Sequence, residues 1–138
     1  MSFIKTDFPG LFVIEPAVYK DSRGYFFESY NQQQFETEGI DIHFVQDNQS
    51  KSSYGVIRGL HYQLNPHAQT KLMRVLSGKI LDIAVDIRKG SPAYGKVFAL
   101  ELSAENNKQV LIPKGFAHGF SVLSETDEVM YKCDAFYN

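Results

Sequence analysis

Met73-Arg74-Val75-Leu76-Ser77-Gly78-Lys79-Ile80-Leu81-Asp82-Ile83-Ala84-Val85-Asp86-Ile87 is the run that decides the fold. Two apolar segments, residues 73–76 and 80–87, flank Ser77-Gly78-Lys79, and the glycine there predicts a hairpin turn. In the second arm Leu81, Ile83, Val85 and Ile87 alternate with Asp82 and Asp86. A period of two is a strand, and it sends the aliphatic set to the core and the two carboxylates to solvent. Further short strands follow at 96–102, 109–112, 116–123 and 129–136, with Pro113-Lys114-Gly115 as a turn. Upstream, residues 11–14 and 24–30 read as strands. Residues 42–48 alternate, with Ile42, Phe44, Gln46 and Asn48 on one face and His43, Val45 and Asp47 on the other. One short helix is expected between Asn31 and Gly39. Asn31 can cap it, Gln34 sits at the capping-box position, and Gly39 can end it. So many short strands imply an all-β antiparallel sandwich or barrel.

A chain of 138 residues is one domain by length. It is 43% hydrophobic and 22% charged, enough apolar mass for a real core. A net charge of -2 gives no reason to expect nucleic acid or a membrane surface as partner. No apolar run approaches a membrane span, and the N-terminus carries no signal-peptide pattern. The lone cysteine, Cys133, excludes an internal disulfide framework and fits a reducing cytoplasm. Eleven Phe and eight Tyr favour strands.

The chemistry gathers around Arg58-Gly59-Leu60-His61-Tyr62-Gln63, where a titratable base lies three residues from a fixed cation. His61 reads either as a core histidine bonded to a backbone carbonyl or as a general base with a pKa near neutrality. Strict alternation puts Arg58 and His61 on opposite faces. Both serve one pocket only if Gly59 bends or bulges the strand, so irregular pairing is expected there. Gln46 and Asn48 share a face with apolar residues, which favours a cavity lining over burial in a core. In the last strand Val129, Tyr131 and Cys133 point inward. Tyr131 is then a barrel-filling phenol or an acid. Cys133 is a buried filler or a minor proton donor. His61-Tyr62-Gln63 lacks a second histidine, and His61, His67 and His118 form no close-spaced ligand pair, so no metal site is expected.

With Asp21-Ser22-Arg23-Gly24, Gln46-Asp47-Asn48 and Phe116-Ala117-His118-Gly119-Phe120, this central motif resembles the dTDP-4-dehydrorhamnose 3,5-epimerase family. The resemblance runs from about Ile4 to the last residue. It implies a cupin-type jelly roll and an isomerase that removes the proton at carbon 3, and usually carbon 5, of a nucleoside-diphosphate 4-keto-6-deoxyhexose. His61 matches the family's base, Tyr131 its acid, and Lys71 the residue beside the keto oxygen; otherwise Lys71 is a solvated lysine. His118 matches a pocket position. Arg23 and Arg58 match the diphosphate clamps, and Tyr137 a residue near the nucleotide base. Phe26 and Glu28 arrive with Arg23 on an arm that reaches the neighbouring subunit's site. Tyr54 stands where the family more often has a polar or basic residue, and is a second candidate acid beside Cys133. No cofactor is required, since the keto group already activates the adjacent carbons. A cytoplasmic homodimer with exchanged N-terminal strands is implied, feeding deoxysugar biosynthesis for lipopolysaccharide, O-antigen or a glycosylated metabolite.

Family members run several tens of residues past the point where this chain stops, and that segment normally carries an aspartate for the catalytic histidine. The expectation is a single cupin epimerase domain over residues 1–138 lacking the family's C-terminal segment. Three explanations stay open for the missing aspartate: a chain truncated at its end, a substitute carboxylate such as Asp82 or Asp86, or a reduced member acting at one carbon only. Two other readings use the same scaffold: a 3,4-ketoisomerase or single-carbon epimerase, and a non-catalytic sugar-nucleotide-binding cupin.

Overall fold

A computed structural model describes the whole chain, residues 1–138. Its elements are β1 (Ser2–Lys5), β2 (Phe12–Glu15), β3 (Tyr19–Asp21), β4 (Gly24–Phe26), α1 (Gln32–Thr37), β5 (Gln46–Ser53), β6 (Ile57–His61), β7 (Lys71–Ser77), β8 (Lys79–Asp86), β9 (Val97–Ser103), β10 (Gln109–Ile112), β11 (Phe116–Val122) and β12 (Thr126–Cys133). A six-stranded sheet runs β1-β2-β10-β7-β12-β5, a four-stranded sheet runs β6-β11-β8-β9, and β3 and β4 pair as a separate hairpin. Every strand pair is antiparallel. This is the all-β jelly roll of the cupin type, with one short helix.

The main core lies between the two sheets. Met73, Val75, Val110, Ile112 and Val129 of the six-stranded sheet meet Ile80, Ala84, Leu102, Phe116, Phe120 and Val122 of the other. A smaller cluster covers the outer face of the six-stranded sheet. There Phe35 of α1 sits on Ile14, Leu72 and Leu111, with edge-on contacts to Phe3 and Tyr30 at ring-centroid distances of 5.0 and 4.9 Å. The helix starts as expected: the Asn31 side chain accepts from the Gln34 N–H at 3.1 Å, and Gly39 follows at φ 81°.

Three sequence expectations are corrected. Ser77-Gly78-Lys79 is not a hairpin turn, because β7 and β8 belong to different sheets. It is a corner that carries the chain from one wall to the other. Gly78 is pressed against the turn before β12, where a Cβ would come within 2.5 Å of Ser124 Oγ. The faces of β8 are also reversed. Ile80, Asp82, Ala84 and Asp86 are buried, whereas Leu81, Ile83 and Val85 are only partly covered. Periodicity separates two faces but does not say which is inside, and here the carboxylates have buried partners. Asp86 bonds Arg88 and Ser91, at 2.9 Å from Arg88 Nη2 and 2.6 Å from Ser91 Oγ. Burial pushes the Asp86 carboxyl up, but those donors outweigh it and hold the pKa at about 2. Finally, the strand expected over 42–48 begins only at Gln46. Ile42 and Phe44 pack into the outer cluster, away from the inward face that holds Asn48.

Candidate active site

One end of the sandwich opens into a cleft with two connected lobes of ≈ 330 and ≈ 150 Å³. Asn48, His61, Lys71 and Tyr131 line both. Arg58 and His118 line the smaller lobe, and Tyr137 lines the larger. The two walls carry different groups. Arg58, His61 and His118 come from β6 and β11 of the four-stranded sheet. Asn48, Lys71 and Tyr131 come from β5, β7 and β12 of the six-stranded sheet.

The bulge expected at Gly59 is what brings Arg58 and His61 together. His61 pairs with His118, but Arg58 pairs with Phe120, so β6 spends three steps where β11 spends two. The extra residue restores both side chains to the inward face. Gly59 adopts φ 98°, and a Cβ there would lie 2.6 Å from the His118 carbonyl oxygen and 2.9 Å from Gly119 Cα. Gly119 faces it, and a Cβ on Gly119 would run into the Arg58 carbonyl. The two glycines let the strands touch where side chains would hold them apart.

Lys71 is largely buried and forms no ion pair within the chain. Its ammonium lies 5.4 Å from the Tyr131 ring centroid. Desolvation lowers its pKa. Such a cation gains most from an anion arriving in the cleft. Tyr131 stands between Asn48 and Met73 in the register, so it points into the cleft as the alternation predicts. Cys133 is buried on the same face, and burial pushes its thiol up to about 11. The thiol therefore keeps its proton at neutral pH.

His118 Nε2 lies 2.7 Å from Asp82 Oδ1, with both side chains almost fully buried. An ionised carboxylate only accepts, so it places the proton on Nε2 and fixes the ring. Neither Asp82 nor Asp86 therefore serves His61, contrary to expectation; the first is bound to His118 and the second to Arg88. The His61 ring has no hydrogen-bond partner in the chain. Tyr54 is 71% exposed on the turn between β5 and β6 and lies outside the cleft, so it is not placed to act as acid. Gln46 Nε2 donates to Asn48 Oδ1 at 2.9 Å, and Gln46 Oε1 accepts from the Tyr137 N–H at 3.4 Å, which ties the cleft rim to the C-terminal residues. Arg23 and Phe26 stand on the β3–β4 hairpin, away from this cleft, with Arg23 ion-paired to Asp21 at 2.6 Å. Glu28 accepts from Asn31 Nδ2 near α1. No group of three or more His, Cys, Asp or Glu is gathered to hold a metal ion. Sequence reasoning missed Ser52 and Asp127, which lie on the inward faces of β5 and β12 beneath Arg58; the alternation of those two strands, run further toward their ends, was the signal.

The dTDP-4-dehydrorhamnose 3,5-epimerase family model matches residues 5–138. A curated dTDP-4-dehydrorhamnose 3,5-epimerase from Shigella flexneri is 55% identical, over 100% of this chain and 77% of its own length. The crystal structure of that enzyme from Elizabethkingia anophelis superposes with a TM-score of 0.95 at 55% identity, covering 100% of this chain and 76% of that one. A Legionella pneumophila 3,5-epimerase, solved in complex with dTDP-4-keto-L-rhamnose, gives 0.95 at 49% identity, covering 99% and 73%. What the fold and cleft define is a nucleotide-sugar epimerase, an isomerase. By sequence and structure alike, this chain belongs to the dTDP-4-dehydrorhamnose 3,5-epimerase family.

Proposed function

We propose that this chain inverts carbon 3 and carbon 5 of a thymidine-diphosphate-linked 4-keto-6-deoxyhexose, with His61 as base and Tyr131 as acid. The observation that carries this is their placement on opposite walls of one cleft, His61 on the four-stranded sheet and Tyr131 on the six-stranded sheet. Epimerisation needs a proton taken from one side of the ring and returned on the other. The hydrogens next to the keto group are acidic because the carbanion delocalises onto oxygen as an enolate. An imidazole suits their removal near neutral pH. Lys71, a partly buried cation without a counter-charge, stabilises the enolate oxygen, and His118 lines the opposite wall. Arg58 binds the diphosphate through its planar fork. Tyr137 gives the nucleotide base an aromatic face. Gln46 and Asn48 hold the substrate from the rim.

The working unit is a homodimer. The β3–β4 hairpin leaves Tyr19, Tyr25 and Phe26 each 67% exposed, more apolar surface than an isolated arm keeps in water. Placed over a second copy's cleft, it supplies Arg23, Phe26 and Glu28 to the neighbour. The outer face of the four-stranded sheet, with Ile57, Ile83, Val85 and Val97, is a second apolar surface suited to self-association. The lone free thiol Cys133 fits a cytoplasmic setting, where the product would enter deoxysugar synthesis for surface polysaccharide.

The test is solvent exchange. The protein is incubated with the 4-keto sugar nucleotide in heavy water and the ring protons are followed by NMR. Deuterium at carbons 3 and 5 supports the double epimerase, and label at carbon 3 alone makes it a single-carbon enzyme. Migration of the keto group would make it a ketoisomerase. Binding with no exchange would leave a non-catalytic sugar-nucleotide-binding protein and overturn the proposal.

A further inference from the structure

Arg58 is braced from beneath. Its Nε donates to Ser52 Oγ at 2.7 Å and its Nη2 to the Lys51 carbonyl at 3.3 Å. Nη1 has no protein partner, so both of its N–H groups remain for a ligand. Ser52 is itself held. Its backbone N–H donates to Asp127 Oδ1 at 2.8 Å, and Asp127 stands directly opposite in the β5–β12 register. The Asp127 carboxylate is fully buried, and its Oδ2 has no hydrogen-bond partner. Burial raises the Asp127 pKa, while the Ser52 N–H and the charge of Arg58 act the other way. A buried carboxylate with half its acceptors unused is a costly way to fasten a strand end, and the only cation it faces is Arg58.

These contacts cross the sandwich. Arg58 lies on β6 of the four-stranded sheet, whereas Ser52 and Asp127 lie on β5 and β12 of the other. The guanidinium is exposed, and a free arginine samples many rotamers that binding must freeze. A bond at Nε fixes the plane of the fork without occupying Nη1.

We propose that Ser52, seated on buried Asp127, is a positioning residue that pre-aims Arg58 at the diphosphate. This deepens the substrate reading above and rests on Arg58 being a diphosphate ligand. Ser52 then contributes to binding and not to proton transfer, because it lines neither lobe that holds His61 and Tyr131.

The test is a double-mutant cycle on the full chain, reading KM and kcat for the sugar nucleotide and competitive inhibition by inorganic pyrophosphate. Ser52→Ala should weaken pyrophosphate inhibition and raise KM about tenfold, the loss expected of one hydrogen bond to a charged group, with kcat unchanged. Ser52→Thr keeps the hydroxyl and should restore both. In an Arg58→Met background, Ser52→Ala should have no further effect. The inference is overturned if Ser52→Ala leaves inhibition as in the wild type, or weakens it equally in both backgrounds. Loss of kcat with KM intact would overturn it too. If Arg58→Met inhibits as strongly as the wild type, the diphosphate role of Arg58 falls and this inference falls with it. A weakened Arg58→Met beside an unaffected Ser52→Ala removes this inference alone.

Discussion

His61 and Tyr131 reach the cleft from opposite sheets, and the division of labour between them is separable by substitution. His61→Ala should lower deuterium incorporation into the sugar by about 10³-fold, the range a positioned general base supplies. Tyr131→Phe leaves the base in place, so exchange by the abstraction step should persist while inverted product falls about 10²-fold; NMR of one reaction mixture reads both. Equal loss of both signals in Tyr131→Phe would show that the phenol is not the donor. Tyr131 was legible as an inward residue because motif and strand alternation agreed on it, whereas His61 was legible through its motif alone, since alternation set it opposite Arg58. Asp82 was misread for a physical reason. A carboxylate on an alternating strand goes outward unless something inside receives it, and its receiver, His118, lies 36 positions away. Asp127 was missed on the same ground, since the N–H it holds belongs to Ser52, 75 positions away.

Among the elements, the β6–β11 contact matters most for the site. Gly59 and Gly119 lie face to face, and neither position has room for a methyl group. Gly119→Ala should push β6 off β11, destabilise the fold by roughly 1–3 kcal/mol, and cost activity beyond that through lost alignment of His61 with Arg58. A denaturant melt beside a kinetic assay at a temperature where the variant is fully folded separates the two effects. The end of β8 makes a different prediction. The Asp86 pKa is depressed to about 2, so its contribution to stability is present above the ordinary aspartate range and disappears as pH falls through the folded value. Between about pH 4 and 2 the wild type should lose about 2 kcal/mol through this group, and Asp86→Asn should be less stable at pH 7 with a flatter acid limb. A wild-type slope in Asp86→Asn would assign that limb to other carboxylates. Strand existence was readable nearly everywhere. The corner at Gly78 was not, because a tight glycine turn between two apolar runs has the same local chemistry whether the arms pair or part. The bulge was readable, since two residues needed in one pocket had a glycine between them and the wrong parity.

Two of the molecule's exposed apolar surfaces are the β3–β4 arm and the outside of the four-stranded sheet. Ile83→Asp places a charge in the middle of the second. It should leave the monomer folded and shift the sedimentation coefficient from dimer to monomer; an unchanged coefficient would exclude that face from the interface. The jelly roll itself was legible as a class, while the outward turn of an aliphatic row was not, because a period of two separates two faces without saying which one packs on the chain's own core. β8 links this surface to the chemistry. Asp82, which steadies His118 inside, adjoins Ile83, which points out. With a second copy packed on that face, as proposed, a strand held by an imidazole on its other side cannot relax on one without being felt on the other. Turnover per molecule should then fall on dilution even when Arg23→Ala has already removed the arm's cation from the neighbour's cleft.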